Sequence, residues 1–129
     1  MRKFTTKRID IINANEVVDQ LVINDNPILD MFEAELVGTT FISEYKHLLV
    51  FIEHVANGGS HGKKCKILKG KRKGLMEYEF ISKHLRLYAI QQSNKKILIY
   101  CSKKGKPDSS DTIAEFRLLC YDYLDQLNK

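Results

Sequence analysis

Long apolar runs are missing from this 129-residue sequence. Leu48–Ile52 is as long as any uninterrupted stretch, far short of the roughly 20 residues a membrane-spanning helix requires. Met1-Arg2-Lys3 is basic, but no apolar segment follows it, so no secretory leader and no membrane partner are expected. Proline and glycine are scarce, at 2 and 7 residues, which excludes collagen-like and low-complexity chains. The 3 cysteines, Cys65, Cys101 and Cys120, form an odd set without CxxC spacing and read as reduced thiols of a cytoplasmic protein. What remains is ordinary globular composition, 43% hydrophobic and 29% charged. One domain spanning residues 1–129 is expected, its core burying roughly two thirds of the extended chain surface.

The formal net charge of +5 conceals a division. His61–Lys106 holds 14 Lys/Arg and only two acids, Glu77 and Glu79, a local +12. The remainder carries 7 Lys/Arg against 14 Asp/Glu, a local −7. A scattered surplus would be no more than a solvated surface. Concentration into one stretch of 46 residues points instead to a polyanion, nucleic acid above all.

Hydrophobic periodicity orders the elements. Lys3–Ile12 gives a strand signal, and a helix is expected from about Glu16 to Ile23. Asp25-Asn26-Pro27 is a break, after which Pro27 suits the first turn of a short helix towards Leu36. Phe41, Tyr45, Leu48, Ile52 and Val55 recur at spacings of four and three, one stripe of a helix over Phe41–Ala56. Thr39 or Thr40 can cap its start, and Asn57-Gly58-Gly59 its end. Beyond a basic loop the period becomes two. Met76, Tyr78 and Phe80 alternate with polar residues, as do Leu85, Leu87 and Ala89, and Lys96–Ser102 forms a further strand after a Ser93-Asn94 turn. Pro107 closes the sheet region. A last helix is expected to open at Thr112-Ile113-Ala114-Glu115 and run to about Leu127, with Ile113, Phe116, Cys120, Tyr123 or Leu124, and Leu127 as its stripe. The fold class is α+β: N-terminal helices on a small, mostly antiparallel meander with a C-terminal helix.

With Ser82-Lys83 as a two-residue hairpin loop, Glu79 would face Arg86 and Glu77 would face Tyr88. Glu77, Glu79, His84, Arg86 and Tyr88 would then share an open polar face, which Lys103 joins if Arg86 pairs with Cys101. A loop two residues longer would keep these faces, and a one-residue bulge would swap them. The plainest use of such a face is a Glu79–Arg86 ion pair, worth about 0.2–1 kcal/mol when exposed.

Other motifs fall away. Asn57–Lys64 has the outline of a phosphate loop, but Asn57 stands for its first glycine and Lys64 for its Ser/Thr. His61 and Cys65 have the spacing of a metal pair without a second pair, so no metal and no cofactor is expected. His47 and His54 fall within the long helix as surface or packing residues. No nucleophile elbow is present.

Lys66-Ile67-Leu68-Lys69-Gly70, then Gly74-Leu75-Met76-Glu77-Tyr78, then His84-Leu85-Arg86-Leu87-Tyr88, then Ser102-Lys103-Lys104-Gly105-Lys106-Pro107 form an ordered succession. It resembles the RelE/ParE toxin superfamily, in particular the HigB-like, phage-derived branch of bacterial toxin–antitoxin systems. The resemblance covers about Phe41–Leu127. It implies a RelE-like domain acting as the toxin of a type II pair, a metal-independent, ribosome-dependent mRNA endoribonuclease that inhibits translation. In that chemistry the substrate 2′-hydroxyl attacks the adjacent phosphorus, leaving a 2′,3′-cyclic phosphate and a 5′-hydroxyl. It needs a proton acceptor, cations for the phosphorane and an acid for the leaving oxygen.

By resemblance, Arg86 is the phosphate-stabilising residue, and Lys103 and Lys104 are the basic pair after the last strand. The best-known branch has lysines where Glu77 and Glu79 stand here, so Glu79 or His84 is the expected proton acceptor, and Tyr88 the nearest substitute for a C-terminal tyrosine. Lys63, Lys64, Lys66, Lys69, Lys71, Arg72, Lys73 and Lys106 are the expected RNA-binding residues, facing mRNA and rRNA phosphates on the ribosome. The implied partner is a small helix-turn-helix antitoxin. Two further functions suit the same scaffold: a ParE-like DNA gyrase inhibitor, and a catalytically silent RNA- or protein-binding module.

Overall fold

The structure, a computed structural model, describes residues 2–70, 72–103 and 109–128. Along the chain run β1 (Phe4–Arg8), β2 (Val17–Ile23), β3 (Asn26–Pro27), α1 (Ile28–Leu36), α2 (Phe41–Ala56), β4 (Cys65–Leu68), β5 (Glu77–Ile81), β6 (Leu85–Gln92), β7 (Lys95–Lys103) and α3 (Ser109–Leu127). The class is α+β. The sheet is larger and more mixed than a small meander: seven strands in the order β1-β2-β7-β6-β5-β4, with β3 on β2. β2 and β7 are parallel, and the other pairings are antiparallel.

The segment expected to be a helix from Glu16 to Ile23 is strand β2. Val17, Val18, Val22 and Ile23 are β-branched and stiff at χ1, which favours the pleated surface over the helix. β2 is also an inner strand, buried from Val18 to Val22, so its apolar residues are nearly continuous and lose the alternation that marks a half-exposed strand. Asn24 and Asp25 adopt φ of 49° and 70°, a two-residue turn of the kind that closes hairpins, and return the chain to β3. The buried Gln20 of β2 then caps α1: its Oε1 accepts from the N–H groups of Leu29 (3.0 Å) and Asp30 (3.1 Å).

α2 ends as its Asn-Gly-Gly implies. Gly58 sits at φ 88°, and the N–H groups of Gly58 and Gly59 return to the carbonyls of Val55 and His54 at 2.9 Å. At its start the Thr39 hydroxyl accepts from the Phe41 N–H at 3.2 Å. The basic stretch after α2 is not all loop, because Cys65–Leu68 is edge strand β4.

Two layers of helix enclose the sheet. α1 and α2 cover one face, where Leu29, Phe32, Leu36, Tyr45, Leu48, Ile52 and Val55 meet Phe80, Leu85, Leu87 and Leu98. α3 covers the other, where Phe116, Cys120 and Tyr123 meet Leu21, Tyr88, Ile90, Ile97 and Ile99. Each fully buried side chain of this size contributes about 1.5–3 kcal/mol. The face expected to be open and polar is therefore the floor of a second core. α3 also begins at Ser109, a turn before Thr112, which is buried inside the helix, and Leu127 falls outside the stripe at 53% exposed.

Both registers differ from expectation. β5 and β6 pair Ile81 with Arg86, Glu79 with Tyr88 and Glu77 with Ile90, so the loop is two residues longer and the faces are kept. Glu79 consequently meets Tyr88 rather than Arg86. Between β6 and β7, Ala89 faces Leu98 but Tyr88 faces Tyr100, leaving Ile99 as a bulge. Beyond it the alternation inverts: Arg86 pairs with Ser102 instead of Cys101, and Lys103 pairs with Leu85 on the α1–α2 side. Lys103 does not share the face of Arg86.

Candidate nucleic-acid interface

The two carboxylates of the basic segment are buried, Glu77 against Arg117 of α3 and Glu79 against Tyr88 of β6. Glu77 is fully buried, and its Oε1 accepts from Arg117 Nε at 3.1 Å, with Arg117 Nη2 3.0 Å away completing the ion pair. Arg117 Nη2 also reaches the Lys69 carbonyl at 3.0 Å, tying α3 to the β4–β5 loop. Glu77 Oε2 has no partner among the described residues, and Gly70 lies so close that an added Cβ would stand 2.5 Å from it. A side chain at this position would force the carboxylate to shift.

Glu79 is 7% exposed and accepts the Tyr88 hydroxyl at 2.8 Å. Burial, and then this hydrogen bond and the Glu79 charge, hold the Tyr88 hydroxyl well above its ordinary pKa. The Tyr88 ring stacks on Phe116 of α3 at 5.2 Å. Glu79 and Tyr88 thus satisfy each other beneath a helix, out of reach of an incoming 2′-hydroxyl.

The tip of the β5–β6 hairpin remains at the surface. Glu44, in the first turn of α2, accepts from the His84 backbone N–H at 2.7 Å and from the Ser82 hydroxyl, while its Oε1 lies 2.8 Å from His84 Nδ1. Burial opposes the Glu44 charge, but the hydrogen bonds from Ser82 and His84 prevail and hold its pKa below the ordinary 4.5. Arg86 Nη1 folds back onto the same turn and donates to the carbonyls of Leu85 (2.8 Å) and Ser82. Glu44 and Ser82 also line a surface pocket of about 420 Å³ with His47, Lys64 and Lys83. Arg86, Ser82, Glu44 and His84 are therefore one connected hydrogen-bond network.

The cations divide into committed and free. Arg72 lies 2.6 Å from Asp125 and over the Tyr121 ring at 4.6 Å, so it anchors α3. Lys95 pairs with Asp19 at 3.1 Å, and the buried Lys96 pairs with Glu16. Lys63, Lys64, Lys66, Lys69 and Lys73 are exposed along β4 and its flanking loops, with no carboxylate partner among the described residues. Lys71, Lys104 and Lys106 lie outside the described residues. His61 packs on the Tyr78 ring at 6.0 Å, and burial raises the Cys65 thiol to about 11, so the two are absorbed into packing.

Sequence reasoning missed Glu44, Ser82 and Arg117. Only Arg117 left a trace, the lone cation of an otherwise acidic stretch from Ser109 to Leu127. Glu44 stands 40 positions from His84, a separation no local pattern reports. Among the described residues no helix is long and apolar enough to cross a membrane. No family model, curated protein or solved structure matches the chain.

Proposed function

We propose that this protein binds RNA through its β4 edge and acts as the toxin of a type II pair, cleaving mRNA on the ribosome. One observation carries the reading: Lys63, Lys64, Lys66, Lys69 and Lys73 project from one sheet edge and its loops, whereas Arg72, Lys95 and Lys96 are neutralised internally. A row of lysines without acid partners suits a phosphate backbone, whose counterions are released on binding. The α+β class and the α1–α2 layer on one sheet face support the reading at that coarse level, in a sheet that is larger and more mixed than the expected meander. An acidic, helix-turn-helix antitoxin would compete for the same lysines.

A second reading has its own support. Glu79 and Tyr88 lie beneath α3, and Arg86 Nη1 is engaged with backbone carbonyls, which suits an RNA-binding module without chemistry. Ribosomes programmed with a defined mRNA separate the two. The toxin reading expects cleaved mRNA with 2′,3′-cyclic ends, growth arrest on induction, and loss of both in Lys64→Glu/Lys66→Glu/Lys69→Glu. Ribosome binding without cleavage selects the silent module. Neither binding nor cleavage refutes both.

A further inference from the structure

Resting on the RNA-cleaving reading, we propose that Glu44 is a positioning residue that fixes His84 as the proton acceptor of the reaction at the tip of the β5–β6 hairpin. Both Glu44 oxygens are engaged there: Oε2 by the His84 N–H and the Ser82 hydroxyl, Oε1 by the imidazole itself. A carboxylate only accepts, so a neutral His84 ring must carry its hydrogen on Nδ1, which leaves the Nε2 lone pair bare. The ring is 43% exposed and therefore reachable, and Phe41 at 5.2 Å restricts its tilt. The other expected acceptor, Glu79, is enclosed and already bonded to Tyr88.

The surroundings suit the charge that develops. Lys64 and Lys83 line the pocket that Glu44 and Ser82 share, so two cations stand beside the hairpin tip that carries His84. In the proposed step His84 Nε2 takes the 2′-hydroxyl proton, the 2′-oxygen bonds to phosphorus, and the P–O5′ bond breaks. The 5′-oxygen leaves with a proton from solvent, to which His84 afterwards returns the one it took, giving a 2′,3′-cyclic phosphate and a 5′-hydroxyl. No electrons are exchanged and no further reactant is consumed. Glu44 touches no substrate and acts through the ring it orients.

Glu44 also staples the hairpin to α2, so the test must separate positioning from folding. Full-length protein would be assayed with ribosomes and defined mRNA, below its melting transition, as wild type, Glu44→Gln and His84→Ala. Imidazole nitrogen shifts would report the His84 tautomer independently of activity. The expected results are a fall of about 100-fold or more for His84→Ala with partial rescue by added imidazole. For Glu44→Gln, whose amide can donate to Nδ1, kcat falls about 10- to 100-fold with KM little changed, and the Nε2–H tautomer appears. Full cleavage by His84→Ala overturns the proposal while leaving RNA cleavage standing. So does a Glu44→Gln variant that melts earlier but cleaves at the wild-type rate. A wild-type protein that cleaves nothing overturns the cleavage reading and this proposal together.

Discussion

Replacing Arg117 by methionine removes the only hydrogen bond that the Glu77 side chain receives among the described residues, from Nε at 3.1 Å, together with the Nη2 ion-pair contact at 3.0 Å, and leaves a fully buried carboxylate beside Gly70. Breaking one side of a buried pair costs about 3–5 kcal/mol because the remaining charge is uncompensated. Arg117 is itself 26% exposed, so water screens part of the interaction and the lower end applies, about 3 kcal/mol. Against a total stability of about 5–15 kcal/mol for a domain, that is a large fraction. The melting temperature should fall by about 10 °C. Glu77→Leu/Arg117→Met removes both charges at once and should recover to within about 1 kcal/mol of wild type, since apolar replacements of buried pairs are commonly neutral. Urea denaturation of the two single variants and the double gives the coupling directly. If Arg117→Met stays within about 0.5 kcal/mol of wild type, or the double is no more stable than the single, the account of α3 anchoring is wrong.

Gly70→Ala should destabilise by about 1–3 kcal/mol, because its Cβ would stand 2.5 Å from a Glu77 oxygen that Arg117 holds in place. In a Glu77→Ala background the same change should cost nothing further, and thermal melts of the four proteins would reveal a persistent penalty if the contact is misassigned. Burial raises the Cys65 thiol to about 11 and the Cys120 thiol to about 12, so at pH 8 their thiolate fractions are about 10⁻³ or less. Both should react slowly with a disulfide reagent in the native protein and promptly in urea. Rapid native labelling of either would contradict the burial.

How much of this was readable depends on distance along the chain. α2 announced itself because five apolar residues repeat at helical spacing and a glycine pair ends it. β5 and β6 were visible through alternation, since Phe80, Leu85 and Leu87 meet one helical layer. β2 was misread because an inner strand buried on both sides has no alternation to show. The same near-continuous apolar run stands in Ile97-Leu98-Ile99-Tyr100 of β7, and the expectation of an open polar face left it out of account. The bulge at Ile99 could not be read from β7 alone, and it decided that Lys103 and Arg86 part company. Of the candidate site, the exposed lysines were legible as a charge cluster. The Glu44 network was not, because α2 and the hairpin meet only in three dimensions.

The parallel pairing of β2 with β7 has a consequence for synthesis. Val17 of β2 takes Lys95 as its partner, so its second neighbour emerges 78 residues later. At about 5–20 residues per second the ribosome needs several seconds to deliver it. During that interval Val17–Ile23 has only β1 and the two-residue β3 beside it, and it contains neither proline nor lysine to discourage a stray strand. Closing so long a loop is also slow once the chain is released. The nascent chain is thus most vulnerable to aggregation through a strand that ends up paired on both sides in the finished sheet.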